Sequence, residues 1–222
     1  DALTPQLDLR VICGATGSAK TRVLHALAAR GEQVLDLEDF ASHKGSLLGS
    51  LPGVPQPSQK HFETRIATVL EAIDLSRPLY VEGESVRIGR LSLPLSLVAQ
   101  MRAAPCIEVE ATPEARLAYL LRDYAYLGDD RAALAEKMGV LKELQGKETV
   151  TRWQQWAHDA DLPHLFAELM SLHYDPHYQK SQETHFRAWA RRQRVAASDL
   201  SDQGIEAVAD AVLALGDPSP SA

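Results

Sequence analysis

Lys20 and Thr21 close the run Gly14-Ala15-Thr16-Gly17-Ser18-Ala19, and residue types in that order can hold phosphate. An apolar run, Leu9–Cys13, precedes the turn and an alanine-rich helical stretch follows it, the strand–turn–helix setting the motif requires. The turn's backbone N–H groups and the helix N-terminus form an anion cradle. Lys20 adds a point charge for terminal phosphates, and the Thr21 hydroxyl is placed to coordinate Mg²⁺. The pattern G-x-x-x-x-G-K-[ST] meets one departure, Ala19 in place of its second glycine. Alanine carries a steric cost if that position needs a positive φ or a very close phosphate.

Acids stand where such a loop needs them. Leu79-Tyr80-Val81-Glu82-Gly83-Glu84 puts Glu82 on the metal side and Glu84 in reach as a base or substrate contact. Asp36 and Glu38 end an earlier strand; Asp36, inside an apolar run, reads either as an acceptor contact or as an exposed strand end. Ser42-His43-Lys44-Gly45-Ser46 offers a base, a cation and two hydroxyls. Lys44 and Ser46 could meet phosphate, and His43 reads as a proton shuttle or as a plain loop histidine. Arg87 and Arg90 suit a phosphate clamp. Gln56 and Gln59 are either substrate contacts or capping groups. Further on, Tyr174, Asp175 and Tyr178 lie in what reads as a helix-breaking turn, and Arg187, Arg191, Arg192 and Arg194 surround Trp189. Aromatics interleaved with basic residues can stack bases and hold RNA phosphates, though a solvated helix face fits the arginines as well. No Cys/His spacing resembles a zinc site.

The elements that would position these groups alternate strand and helix, the mark of a parallel sheet. Strands are expected at Leu9–Cys13, Gln33–Leu37, Leu79–Glu82, Cys106–Glu110 and Val195–Ser198, with helices at Lys20–Ala29, Ser58–Ile73, Leu95–Ala103, Pro113–Tyr124 and Ala207–Leu215. The fold class is therefore α/β: a P-loop NTPase-like parallel sheet of about five strands flanked by helices, with a helical C-terminal appendage. Residues 1–128 and 195–216 would form the core, 129–194 a helical insertion, and 217–222 a frayed tail. Two aperiodic stretches, Glu38–Pro57 and Gly83–Pro94, follow strand C-termini on the side of the phosphate loop, where open α/β sheets bind ligands.

The 222 residues suit one full-sized domain, and a net charge of −7 argues against non-specific coating of nucleic acid while allowing a local basic patch. Cys13 and Cys106 sit in apolar runs, so buried reduced thiols in a cytoplasmic protein are expected. No apolar stretch is long enough to span a bilayer. The first methionine is Met101, which suggests a processed or excised piece of a longer chain.

QVLDLEDFASHKGSLLG, QPSQKHFE, VEGESVRIGRLSLP, the run Met101–Pro105 and HYDPHY, in that order, resemble the P-loop domain of bacterial tRNA 2-selenouridine synthase. The likeness runs from about Val11 to Ser181. It implies a transferase that replaces the 2-thio sulfur of a wobble uridine with selenium, through an S-geranylated intermediate made from geranyl diphosphate and then selenophosphate. It also implies a tRNA partner and a rhodanese-like domain carrying a reactive cysteine, supplied in cis or in trans. Gly14–Thr21 would then cradle a diphosphate, with Asp36, Glu82 and Glu84 around Mg²⁺ or substrate. His43, Lys44, Ser46, Arg87 and Tyr174–Tyr178 would line the acceptor side. Lys44 stands where that family favours arginine, and Gly83 where it favours aspartate. Two other readings of the residues stay open: a small-molecule or nucleoside kinase using ATP or GTP, with Arg116 and Arg122 on a lid helix, and a non-catalytic NTP-binding module.

Overall fold

A computed structural model describes residues 7–216. Its centre is β1 (Leu9–Cys13), buried along its whole length. Arg10 is the strand's single charged residue and is itself buried, and the other four are apolar on both faces, so both must be covered. β1 accordingly lies mid-sheet between β3 (Leu79–Glu82) and β6 (Cys106–Ala111), with β2 (Gln33–Leu35) and β7 (Gln193–Ala197) at the edges. All pairings are parallel; Leu9 faces Leu79 and Val11 faces Cys106 in register. β6 thus starts two residues higher than β1 and projects past it, which raises one wall beside the phosphate loop.

The strand pleat sorts side chains into two layers. Leu9, Val11 and Cys13 pack with Phe62 and Ile66 of α3 (Gln59–Ala72) and Leu97 and Met101 of α4 (Leu95–Ala103). Ile12 points the other way, onto Val23 and Leu27 of α1 (Lys20–Ala29) and Ile205 and Val208 of α11 (Asp202–Ala214). Cys13 and Cys106 are buried free thiols, and their mutual hydrogen bond together with burial pushes the Cys13 thiol up.

Most element ends follow local capping chemistry. Ser58, Thr112 and Ser201 accept backbone N–H groups at the starts of α3, α5 (Pro113–Asp123) and α11. The expected strand Gln33–Leu37 stops at Leu35, because Asp36 instead caps a short helix, α2 (Leu37–Ala41). The stretch expected to be irregular after β3 holds a small hairpin, β4 (Arg87–Ile88) with β5 (Leu91–Ser92).

From Arg131 the chain is helical: α6 (Arg131–Gly139), α7 (Lys142–Gln145), α8 (Lys147–Asp159), α9 (Leu162–Glu168), a π-helical turn (Leu169–Tyr174) and α10 (Asp175–His185). These elements close a third apolar cluster around Trp153, which is 0% exposed. Tyr174-Asp175-Pro176 does not break the helix. Pro176 sits in the first turn of α10, directly after the π-helical turn, where its fixed φ suits the helix. The tail expected beyond residue 216 lies outside the described residues. Among the described residues no helix is long and apolar enough to cross a membrane.

Trp153 both fills the helical cluster and donates its indole N–H to Glu168 Oε2 at 2.9 Å. Trp153→Ala should therefore cost about 3–5 kcal/mol in urea denaturation, the range for removing a fully buried tryptophan.

Candidate active site

β1 delivers the chain into the loop Gly14–Thr21, and α1 begins at Lys20. Gly17 holds φ 84°, and a Cβ there would meet the Leu120 side chain and the Arg116 carbonyl. Ala19 also lies in the left-handed region, φ 59°, so the position where the motif favours glycine does carry the conformation glycine favours. The alanine methyl is buried among Val23 and Leu24, which offsets part of its backbone cost. Lys20 Nζ sits 3.0 Å from the Gly14 carbonyl, folded back over the loop. The buried Ser18 hydroxyl has no hydrogen-bond partner, a donor held ready inside the cradle.

Below the loop three glutamates converge. The Thr21 hydroxyl lies 2.9 Å from both Glu38 Oε2 and Glu82 Oε2, and the Glu38 N–H donates to Glu82 Oε1 at 2.8 Å. Carboxylate oxygens of Glu38, Glu82 and Glu84 all lie within 4.8 Å of one another. Burial, with repulsion from Glu84, pushes the Glu38 carboxyl up to about 8. Glu82 rises well above its usual range through burial and the charges of Glu38 and Glu84, and burial raises Glu84 against the pull of Lys20. Three clustered acids beside a hydroxyl form an all-oxygen donor set that suits a hard divalent cation such as Mg²⁺.

The sequence places Asp36 with Glu82 and Glu84 around Mg²⁺ or substrate, and the structure groups Glu38 with those two instead. Asp36 caps α2 through the Asp39 N–H at 2.8 Å and meets His25 Nε2 at 2.5 Å. It faces the same cleft but does not join the glutamates. The signal for Glu38 was its spacing, three residues past β2 and inside the first turn of α2. Gly45 explains its own residue type: at φ +66°, a Cβ would stand 2.6 Å from Glu38 Oε1 and 2.7 Å from Glu84 Oε2.

The remaining candidates divide. Lys44 is committed within the protein, with Nζ 2.7 Å from Asp123 Oδ2 and over the Tyr124 ring at 4.5 Å. It fastens the long loop to the end of α5. His43 is buried over Gly49, and its burial, helped by Lys137, lowers its pKa. Ser46 accepts from the Leu48 N–H and borders the cleft. Gln56 donates to the carbonyls of Ala41 and Ile88, and Gln59 exchanges hydrogen bonds with Ser92, so both amides staple the hairpin. Arg90 joins them through the Gln56 carbonyl.

Tyr174 packs into the helical cluster, and burial pushes its phenol up to about 12. Tyr178 stands edge-on to Trp189 and borders the cleft. Asp175 accepts both terminal nitrogens of Arg116, at 2.6 and 3.1 Å, while Arg116 Nε donates to the Thr16 carbonyl at 2.9 Å. A charged side chain on the buried face of α5 was the sequence signal for this clamp. Arg192 is paired with Glu108 at 2.5 Å and stacked 4.1 Å from Trp189, while Arg191 is exposed. Arg87 is exposed and borders the cleft. That cleft, of 960 Å³, spans the loop, the glutamates, the hairpin and one face of α10.

A five-stranded parallel sheet, a phosphate loop leaving its central strand and carboxylates at two neighbouring strand ends define a P-loop α/β domain. Residues 7–157 match the model of the tRNA 2-selenouridine synthase AAA domain, and the chain belongs to that family. The tRNA 2-selenouridine synthase of Alcanivorax borkumensis is 40% identical over 126 residues, 56% of this chain and 33% of that protein. The Shewanella piezotolerans enzyme of the same name is 33% identical over 207 residues, 81% of this chain and 55% of that protein. The chain thus spans from a third to just over half of these curated relatives' length.

Gly45→Ala should cost about 1–2 kcal/mol from the left-handed backbone alone. Added Mg²⁺ should raise the melting temperature of the wild type more than that of Gly45→Ala, because the new methyl pushes Glu38 and Glu84 apart. The His25–Asp36 hydrogen bond raises the His25 pKa. Its stabilisation is complete below the unfolded pKa and is lost as pH rises through the folded one. Thermal melts of His25→Gln should show a deficit of about 0.5 kcal/mol or less at acid pH, since the ring is half exposed, and none at alkaline pH.

Proposed function

We propose that this domain binds the diphosphate of a prenyl donor, geranyl diphosphate, with Mg²⁺, and transfers the prenyl group to the 2-thiouridine sulfur of a tRNA wobble nucleotide. The observation that carries this reading is the Thr21 hydroxyl between Glu38 and Glu82 at the foot of the phosphate loop, open to a cleft large enough for a donor and an acceptor. Geranyl diphosphate is the donor that the sequence resemblance implies, and a phosphate loop with carboxylates beside it serves a diphosphate leaving group as well as it serves ATP or GTP.

In this mechanism the thio sulfur attacks the first carbon of the prenyl chain, the carbon–oxygen bond breaks, diphosphate leaves with the electron pair, and the N3 proton of the base passes to solvent. The loop N–H groups, Ser18 Oγ and Lys20 meet the charge that grows on the departing oxygens, the arrangement that contributes most when fixed in advance. Thr21, Glu38, Glu82 and Glu84 would hold Mg²⁺, which when bound supplies further neutralisation of the diphosphate. Selenophosphate would then attack, through selenium, the base carbon that bears the sulfur, the prenylated sulfur would leave as a thiol, and water would cleave the selenium–phosphorus bond to release phosphate, with a rhodanese-like domain acting in cis or in trans.

Calorimetry with geranyl diphosphate, ATP and GTP, each with and without Mg²⁺, tests the donor. Geranyl diphosphate should bind in a Mg²⁺-dependent way, and Lys20→Ala should weaken it by about tenfold or more, the loss of one charge-assisted contact. Tight ATP binding with indifference to geranyl diphosphate would favour a kinase instead.

A further inference from the structure

Basic side chains around the cleft fall into two groups. Lys20 is satisfied by the Gly14 carbonyl, Lys44 by Asp123, Arg22 by Asp202 and His25 by Asp36. Arg87, Arg102 and His185 also border the cleft, yet among the described residues none of their side chains has a hydrogen-bonding or ionic partner. Two guanidinium groups and an imidazole thus face the cavity without a partner in the protein, while the cavity's acids Asp36 and Asp123 are taken up by His25 and Lys44.

The helix α10 organises this end. Asp175 at its start is tied through Arg116 to Thr16 of the phosphate loop. At its other end the Arg187 N–H donates to the Arg102 carbonyl at 2.9 Å, fixing α10 against the end of α4. Asp175, Tyr178, Gln182 and His185 recur at helical spacing, and the last three border the cleft. Ten residues at 1.5 Å each separate Asp175 from His185 by about 15 Å along the axis. Two phosphates of a single diphosphate cannot bridge that span.

Between the two ends lies Gln182, only 4% exposed, whose Oε1 has no hydrogen-bond partner. A buried amide oxygen without a partner carries a desolvation cost that a bound donor removes. Nothing in the phosphate-loop chemistry uses it.

We propose that Arg87, Arg102 and His185, with Gln182 beside them, form a second oxyanion subsite that takes a phosphate group of the second substrate. The arginines bind phosphate oxygens, and Gln182 meets a polar edge of the group attached to them. Two sources share this chemistry: a small free phosphate-type co-substrate and a phosphodiester of an RNA strand. The subsite deepens the transferase reading, but its test does not require that reading to hold.

Inorganic phosphate and a short fluorescent oligouridylate are titrated onto the whole chain, with geranyl diphosphate and Mg²⁺ titrated in parallel. Arg87→Gln and Arg102→Gln should each weaken at least one of the first two probes by about tenfold. They should leave geranyl diphosphate within about twofold, while Lys20→Ala does the reverse. Loss with phosphate alone identifies a small anion, and loss with oligouridylate alone or with both identifies RNA. Arg102→Lys, expected to recover part of the affinity, separates lost charge from misfolding. Failure of both probes to bind wild-type protein, equal binding by the arginine variants, or equal loss of geranyl diphosphate would each overturn the subsite. Absence of geranyl diphosphate binding alone would instead count against the donor.

Discussion

The buried guanidinium of Arg116 holds the two halves of this molecule in one arrangement. One edge donates to the phosphate-loop carbonyl of Thr16, and the other grips Asp175 at the start of α10. Arginine suits this place because its planar fork meets a carboxylate with two parallel contacts and still has Nε to spend elsewhere. The carbonyl it engages belongs to the turn whose N–H groups must point at a ligand, so the clamp orients peptides as well as joining elements. Without it, the cleft wall supplied by α10 would have no charged link to the loop it faces.

The glutamates impose the opposite kind of constraint. Glu38, Glu82 and Glu84 crowd together in a place with little water; burial raises all three carboxyl pKa values, and mutual repulsion adds to it at Glu38 and Glu82. The chain tolerates it because Thr21 and the Glu38 N–H take some of the charge. A cation would relieve it further, so the cluster is arranged for a ligand at a cost to the empty fold. Gly45 makes room for this crowding at the one point where a side chain would collide.

Much of this was readable from the order of residues. The Leu9–Thr21 run fixes the central strand, the turn and the helix together, because a largely apolar strand and a glycine turn leave few alternatives. Glu82 and Glu84 follow from their position after β3. What escaped the sequence depends on three-dimensional partners. Asp36 and Glu38 look interchangeable until the chain turns at Asp36 into α2, which sends one to a helix cap and the other to the glutamate cluster. Lys44 and Arg192 have the right charge for phosphate, yet Asp123 and Glu108, distant in sequence, already occupy them. Gln56 and Gln59 read as polar contacts because nothing local reveals the hairpin they fasten.

The π-helical turn at Leu169–Tyr174 has a consequence for how this chain can change length. A π turn closes its hydrogen bonds over five residues, as the Asp175 N–H does on the Met170 carbonyl, and so absorbs an extra residue while handing the next helix on in nearly the phase an α-helix would give. Deleting one residue there would let the backbone settle into regular α-helix with the face of α10 close to where it is. A deletion between Tyr178 and Gln182, inside regular helix, would instead turn Gln182 and His185 by about 100° away from the cleft that Tyr178 borders. The segment is therefore a place where the chain can lose a residue while Asp175 keeps its arginine.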